Sequence, residues 1–168
     1  MKIVRSLMAV FLGIVWMSTS AFAQHGGDHS KHMAEMNKRG DRVMGFEQSK
    51  TTHHFRLFPD GGAIEVNAND PKDTPSRDQI QQHLTHIAKA FSEGDFVGPT
   101  EVHNQMPPGA QQMKERKAKI EYTFENTENG GRVRIKSVDS KAVGAIHEFL
   151  RFQINEHQTG DPLSVAAK

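Results

Sequence analysis

Residues 51–68 read TTHHFRLFPDGGAIEVNA, and this stretch decides the fold. In its first half His53, Phe55 and Leu57 stand at every second position, which is typical of a β-strand with one buried face. Residues 59–62, Pro-Asp-Gly-Gly, have the composition of a turn, and a second alternating run follows them. The stretch therefore predicts a β-hairpin, with His53 on the side that faces a layer of helices.

A helix is predicted after this hairpin. Ser76 stands where an N-cap is expected, and Gly94 stands where a left-handed residue would end a helix that runs to about Ser92. Between them, apolar residues recur at intervals of three and four, which is the spacing of a buried helical stripe. This stripe consists of Ile80, Leu84, Ile87, Ala88 and Phe91. One side of the helix is therefore expected to pack on the hairpin.

The same order of elements occurs a second time along the chain. Residues 119–135 alternate on both sides of a predicted turn at 126–131, which again contains a Gly-Gly pair. Residues 140–157 then predict a second helix with its own apolar stripe, formed by Val143, Ile146, Leu150 and Ile154. The sequence therefore predicts one hairpin–helix unit that occurs twice along the chain.

Two such units would share one sheet, because neither can bury its apolar face alone. The predicted fold class is α+β, a duplicated ββα-ββα chain with a four-stranded antiparallel sheet and two helices on one face. The predicted boundaries are a single domain 51–168, with repeat units 51–95 and 119–161 and a connecting loop 96–118, preceded by segments 1–23 and 24–50.

The N-terminal segment, Met1–Ala23, has the order of a secretory signal peptide. Lys2 and Arg5 precede an apolar run, and Ala21 and Ala23 form an Ala-x-Ala cleavage site. The apolar run is about half of the roughly 20 residues that a membrane-spanning helix needs. We therefore expect cleavage after Ala23, a periplasmic or secreted protein, and no stable membrane insertion after cleavage.

The composition narrows the chemistry that is available to the exported chain. The sequence has no cysteine, which excludes thiol catalysis, disulfides and Cys-ligated metal sites. Its 21 Lys and Arg nearly balance 20 Asp and Glu, so nothing indicates a nucleic acid partner. All ten histidines follow residue 23. Any metal site must therefore use His, Met and carboxylate ligands.

Segment 24–50 is rich in histidine and methionine and poor in residues that build a core. It is predicted to be a tail or a short helix, Ser30–Lys38, that Gly40 ends. In such a helix, histidines and methionines at intervals of three and four share a side, and imidazole together with thioether suits copper. The alternative is a disordered polar tail in which these residues are incidental. The candidate ligands are His25, His29, His32, Met33 and Met36.

A second group of candidate ligands lies in the predicted domain. His83 and His86 stand three residues apart on the first helix of the domain, and His53 and His54 lie on the first strand. A metal site built from His53, His83 and His86 is therefore geometrically feasible. The H-E-x-x-H pattern of zinc hydrolases is absent. The alternative is that His53 and His83 are semi-buried and hydrogen-bonded, with His54 and His86 on the surface.

The remaining histidines have ordinary interpretations. His157 is placed to meet the negative end of the last helix dipole. His103 stands in the connecting loop, either as a mobile ligand or as a solvated residue. Phe149 and Phe152 lie off the centre of their helical stripe, so one of them is expected to cover a second surface and hence a partner contact.

Five segments of the sequence form a recognisable set: Thr51–Phe55 (TTHHF), Gly61–Gly62, His83–Ala88 (HLTHIA), Pro107–Gly109 (PPG) and Ala145–Ile154 (AIHEFLRFQI). Taken together, they resemble a group of short exported bacterial proteins of unknown function. Some members of this group carry an aspartate carbamoyltransferase label. The present chain lacks the Ser-Thr-Arg-Thr phosphate-binding segment of that enzyme and is about half its length, so the resemblance implies the boundaries of the domain and no activity.

The leading functional hypothesis is an exported protein that binds a transition metal, with copper favoured and zinc as the other ion considered. It rests on the number of histidines, the His/Met spacing, the lack of thiols and the expected export. The rival is a non-metal interaction or stress module, a homodimer among its forms, that uses the sheet or the Phe149/Phe152 surface. An enzyme ranks third, because adjacent residues such as His147 and Glu148 point about 100° apart on a helix and form no dyad.

Overall fold

The computed structural model describes the backbone of residues 23–167 and the side chains of residues 30–167. The predicted signal peptide, Met1–Ala23, lies outside these residues except for Ala23. The helices and strands of the described part are α1 (Ala23–Met44), β1 (Thr51–Phe58), β2 (Gly61–Ala68), α2 (Thr74–Glu93), α3 (Val97–His103), α4 (Ala110–Glu115), β3 (Ile120–Thr127), β4 (Gly130–Ser137) and α5 (Ser140–His157). Short 3-10 helices, Gln48–Lys50 and Lys117–Lys119, precede β1 and β3.

The four strands form one antiparallel sheet in the order β1-β2-β4-β3. Each hairpin pairs within itself, and the second strands of the two hairpins pair in the middle of the sheet, with Ile64 opposite Val133. α2 packs mainly on β3 and β4, and α5 mainly on β1 and β2. The predicted α+β fold with a four-stranded antiparallel sheet is therefore confirmed. The duplication, and the placement of both helices on one face, are compatible with this topology and stay predictions.

Both hairpins turn more tightly than the sequence pattern predicts. The residues between the paired strands are 59–60 rather than 59–62, and 128–129 rather than 126–131. The Gly-Gly pairs belong to the strands instead. A Cβ atom at Gly62 would overlap the side chain of Leu150 in α5, so glycine is required there by close packing between strand and helix.

The two long helices of the domain begin at aspartate caps. Asp73 accepts a hydrogen bond from the backbone N–H of Ser76 at 3.1 Å, so Ser76 is not the N-cap that the sequence pattern predicts. The hydroxyl of Ser76 instead donates to the same carboxylate from inside the first turn. Asp139 caps α5 by accepting backbone N–H bonds. Gly94 ends α2 in the left-handed conformation, as predicted.

The core lies between the sheet and the long helices. It draws on the inward-facing positions of the strands and on the predicted stripes of α2 and α5, which is the usual consequence of period-2 and period-3.6 patterns meeting in one layer. Among the described residues no helix is both long enough and apolar enough to cross a membrane. The most deeply buried large side chains of this core include Ile80, Leu84, Phe91, Ile135, Ile146, Phe149 and Leu150.

Segment 24–50 is part of the folded structure. α1 continues through Gly40, so the predicted helix Ser30–Lys38 is too short and Gly40 does not end it. Met36 is fully buried, and Phe46, which follows α1, joins the main hydrophobic core. The expectation that this segment supplies little to the core is therefore wrong, because both residues are covered by the domain that follows.

The connection 96–118 is largely helical. The short helix predicted from Ala110 is confirmed as α4, whereas α3 was not predicted, because Gly98 and Pro99 in its first turn obscure the helical pattern. α3 packs against α1, and the Arg39 guanidinium donates a hydrogen bond of 2.8 Å to the backbone oxygen of Val102. The two helices together form a roof over one end of the sheet, which we call the α1–α3 roof.

Candidate functional site

A small cavity lies beneath the α1–α3 roof. Its volume is about 80 Å³, which is less than the roughly 150 Å³ of an engineered cavity that accommodates benzene. Most of its walls are apolar, with side chains from β1, β2, α2 and α5 below and from α1 and α3 above. The polar side chains that line it are four histidines and one glutamine: His53, His83, His103, His157 and Gln153.

The four histidines reach the cavity from four different elements. His53 lies on the inward face of β1, in phase with Phe55, and His83 borders the buried stripe of α2. His103 is the last residue of α3, and His157 is the last residue of α5. The cavity therefore brings together one imidazole from the sheet, one from each long helix of the domain and one from the roof.

Three of the imidazole rings form a contiguous series, and the fourth, that of His83, is joined to it through Phe46. The ring centroids of His53 and His157 are 5.7 Å apart with nearly parallel planes, and those of His157 and His103 are 5.1 Å apart with nearly perpendicular planes. Phe46 lies between the other pair, with its centroid 6.2 Å from that of His53 and 5.6 Å from that of His83. We call His53, His83, His103 and His157 the histidine cluster.

The environment of the histidine cluster favours uncharged imidazole. Burial, together with a smaller effect of neighbouring histidines, lowers the pKa of His53 and of His83 to about 4. Burial together with His53 and His103 lowers the pKa of His157 to about 3. Burial also lowers the pKa of His103, against the opposing effect of its hydrogen bond with Gln153. At pH 7 each ring is therefore neutral and keeps a lone pair that can bind a metal ion.

Two buried nitrogens of the cluster have no hydrogen-bond partner among the described residues, Nε2 of His53 and Nδ1 of His103. His103 is buried, and its Nε2 lies 2.9 Å from Oε1 of Gln153. With the amide in this orientation, Nε2–H donates and Nδ1 carries the bare lone pair. A buried polar atom without a hydrogen-bond partner costs about 1–3 kcal/mol of folding free energy. A ligand that bonds to these two nitrogens would remove that cost.

The structure separates the histidines that the sequence analysis selected in the domain. His53 and His83 line the cavity together, as the geometric argument expected. His54 points to the opposite face of β1 and pairs with Asp161 at 3.0 Å. His86 is exposed on α2. As metal ligands, all four stay predictions, but only the first two share a site.

The candidate ligands of α1 have divergent environments. The side chains of His25 and His29 lie outside the described residues. His32 is exposed and pairs with Glu156 of α5, whereas Met33 is half-buried and Met36 is fully buried. Among the described residues no three His, Asp or Glu side chains are already arranged as ligands of one metal ion.

Two members of the cluster, His103 and His157, received other interpretations from the sequence. His157 follows Leu150 by seven positions and Ile154 by three, so it continues the buried stripe of α5, and this signal was available. His103 could not be placed, since α3 itself was not predicted. Met44, which also lines the cavity, was likewise missed, because the helix that carries it was expected to end earlier.

Phe149 and Phe152, which the sequence places off the centre of their stripe, differ in burial. Phe149 is 1 % exposed and packs edge-on against Phe91 and Phe96 in the core, so it offers no surface to a partner. Phe152 is half-buried and its ring contacts that of His103, with centroids 4.9 Å apart. A partner contact or a homodimer through Phe152 stays a prediction.

No family model matches the chain, and neither a curated protein nor a solved structure is significantly similar to it. The resemblance to short exported bacterial proteins therefore stays a prediction.

Proposed function

We propose that this protein is exported and binds one transition-metal ion, with copper as the preferred ion, in the cavity of the histidine cluster. The observation that carries the proposal is the convergence of four imidazoles with lowered pKa values on one small cavity. Metal affinity of histidine requires the neutral ring, so an environment that keeps imidazole uncharged also keeps it ready to bind.

The donor set suits copper. The cavity is lined by imidazoles, and the side chain of Met44 from α1 also borders it. Imidazole with thioether is a ligand combination that copper accepts in both oxidation states, whereas magnesium and calcium require oxygen ligands. Zinc is the second candidate, because it also binds imidazole well.

The spacing of the rings supports a shared ion. Two imidazoles bound tetrahedrally to one ion at about 2.0 Å have ring centres about 5 Å apart. The centroid separations of 5.1 Å for His103–His157 and 5.7 Å for His53–His157 are close to this value. The rings of His53 and His157 are stacked with planes 10° apart, so one of them must turn before both can direct a nitrogen at the same ion. The cavity is also small enough for an ion and too small for most organic ligands.

Binding would require modest rearrangement of the rings. Since no three ligands in the described residues are already arranged about one point, the imidazoles must rotate to direct their nitrogens inward. Rotation about χ2 of histidine is soft, so this adjustment costs little compared with the unpartnered nitrogens that it would satisfy. We therefore expect a specific site of intermediate affinity.

Calorimetric titration of the purified protein with Cu(II), Zn(II) and Ni(II), and anaerobic competition for Cu(I), tests the proposal. We expect one equivalent of copper with a Kd below about 10 μM, which corresponds to roughly −7 kcal/mol. His157→Phe should weaken this binding at least a hundredfold, because phenylalanine keeps the shape of the ring and removes its nitrogens. Weaker binding by the unaltered protein would overturn the proposal.

Two further variants locate the ion. His86→Gln is the matched control on α2, because His86 is exposed and is not among the residues that line the cavity, and it should leave the affinity within threefold. A variant with His25, His29 and Met33 replaced by alanine should also keep the tight equivalent. Loss of that equivalent in this variant alone would show that the metal ion is bound by residues of α1 and not in the cavity.

A further inference from the structure

A second group of metal-binding side chains stands just outside the histidine cluster, where α1 crosses α5. Nε2 of His32 lies 3.1 Å from Oε2 of Glu156, and Nδ1 of His103 lies 3.8 Å from the same oxygen. Ligand atoms on a tetrahedral zinc or copper ion lie about 3.3 Å apart. The two separations lie on either side of that value. The three side chains are not already arranged as ligands of one ion, so the two imidazole rings would have to turn toward the carboxylate to bind one.

One buried nitrogen of this group has no hydrogen-bond partner among the described residues, Nδ1 of His103. Its Nε2 is engaged with Oε1 of Gln153, and the nearest carboxylate oxygen, Oε2 of Glu156, lies 3.8 Å from Nδ1, beyond hydrogen-bond distance. A metal ion bound by Nδ1 and Oε2 would satisfy the buried nitrogen.

The exposure of the three side chains falls steadily toward the cavity. The side chain of His32 is 47 % exposed, that of Glu156 is 25 % exposed, and that of His103 is 1 % exposed. His103 also lines the cavity, and its ring lies 5.1 Å from that of His157. The three residues thus form a path of metal ligands from solvent to the histidine cluster.

We infer that His32, Glu156 and His103 form a solvent-facing loading site for a divalent transition-metal ion, which passes the ion through His103 to the histidine cluster. This inference rests on the proposed function for the transfer and not for the site itself. Two imidazoles and one carboxylate form a donor set that suits Cu(II) and Zn(II), with remaining positions open to water. His103 belongs to both sites, so the ion can exchange its ligands one at a time.

The loading site explains a feature of α1. Within α1, His32 is the histidine whose side chain the structure describes. Its contact with Glu156 joins α1 to α5 beside the roof. An ion held by residues of α1, α3 and α5 would join the three elements that enclose this side of the cavity. Binding at the loading site would therefore stabilise the packing of α1 against α3 and α5.

Stopped-flow mixing of the metal-free protein with Cu(II), followed by the absorption of imidazole-bound copper, tests the inference together with equilibrium titration. Glu156→Gln and His32→Gln should each slow the filling of the cavity at least tenfold and remove a weaker second equivalent of copper. The affinity of the tight equivalent should stay within threefold. Glu148→Gln, an exposed change on the same helix, is the matched control and should alter neither quantity.

The outcomes separate this inference from the proposed function. Unchanged rates and an unchanged second equivalent in both variants would overturn the loading site and leave the cavity site standing. A single equivalent that Glu156→Gln abolishes and His157→Phe preserves would overturn the cavity site and the transfer. Because about half of the His32 side chain is exposed, His32→Gln keeps the test valid even if the Glu156 variant folds poorly.

Discussion

Lowering the pH from 7 to 5 is expected to destabilise the metal-free protein through the histidine cluster. The pKa values of His53 and His83 are lowered to about 4 in the folded protein, and that of His157 to about 3, from an ordinary value of 6.5. The unfolded chain therefore binds protons that the folded protein excludes. The stability that these residues contribute is fully present above pH 6.5 and is lost as the pH falls toward 4.

The size of the effect follows from proton linkage. A group whose pKa moves from 6.5 when unfolded to about 4 when folded loses about 2 kcal/mol of stability between pH 7 and pH 5. Three such histidines together reach about 6 kcal/mol, which is comparable to the 5–15 kcal/mol that stabilises a typical domain. Aspartates with lowered pKa values, such as Asp139, titrate below this range and contribute little to it.

Urea denaturation in the presence of a chelator, at pH 7 and at pH 5, measures the loss. We expect His157→Phe to lose about 2 kcal/mol less than the unaltered protein between the two pH values, since its ring can no longer be protonated. His86→Gln, on the exposed face of α2, should lose as much as the unaltered protein. Equal losses in all three proteins would refute the assignment of acid sensitivity to the buried cluster.

Three further predictions concern stability and are measured by the same denaturation assay at pH 7. Asp161→Asn should cost about 2 kcal/mol, because the buried carboxylate accepts hydrogen bonds from the backbone N–H of Phe55, the imidazole of His54 and the guanidinium of Arg56. An unchanged stability would show that the C-terminal segment is not anchored there. Gly62→Ala should destabilise the folded protein, because the added Cβ overlaps the side chain of Leu150. Gly144→Ala in α5 should stabilise it by about 0.5–1 kcal/mol, because the added Cβ meets no atom within 4 Å. Equal effects of the two substitutions would contradict the close packing at Gly62. Met36→Ala should cost about 2–5 kcal/mol, as expected for a fully buried side chain, and a negligible loss would mean that α1 is not packed on the domain.

The periodic patterns of the sequence were sufficient for the sheet and the two long helices. Alternation at His53, Phe55 and Leu57 and the stripe containing Ile80 and Leu84 are local signals, because each element buries one face whatever its partners are. The absence of cysteine, which restricts any metal site to His, Met and carboxylate ligands, is also a property of the sequence alone. Export through Met1–Ala23 stays a prediction on the same basis.

The composition of the candidate site was decided by the tertiary structure. His53 and His157 stack although 104 positions separate them, and Asp161 binds the backbone of Phe55 from the far end of the chain. Neither contact produces a periodic pattern in the sequence, because each depends on where β1 lies relative to α5 and the residues that follow it. The path from His32 through Glu156 to the cavity likewise exists only because α1 packs on the domain. Local sequence determines which face of an element is buried, whereas the proximity of ligands depends on how separate elements are assembled.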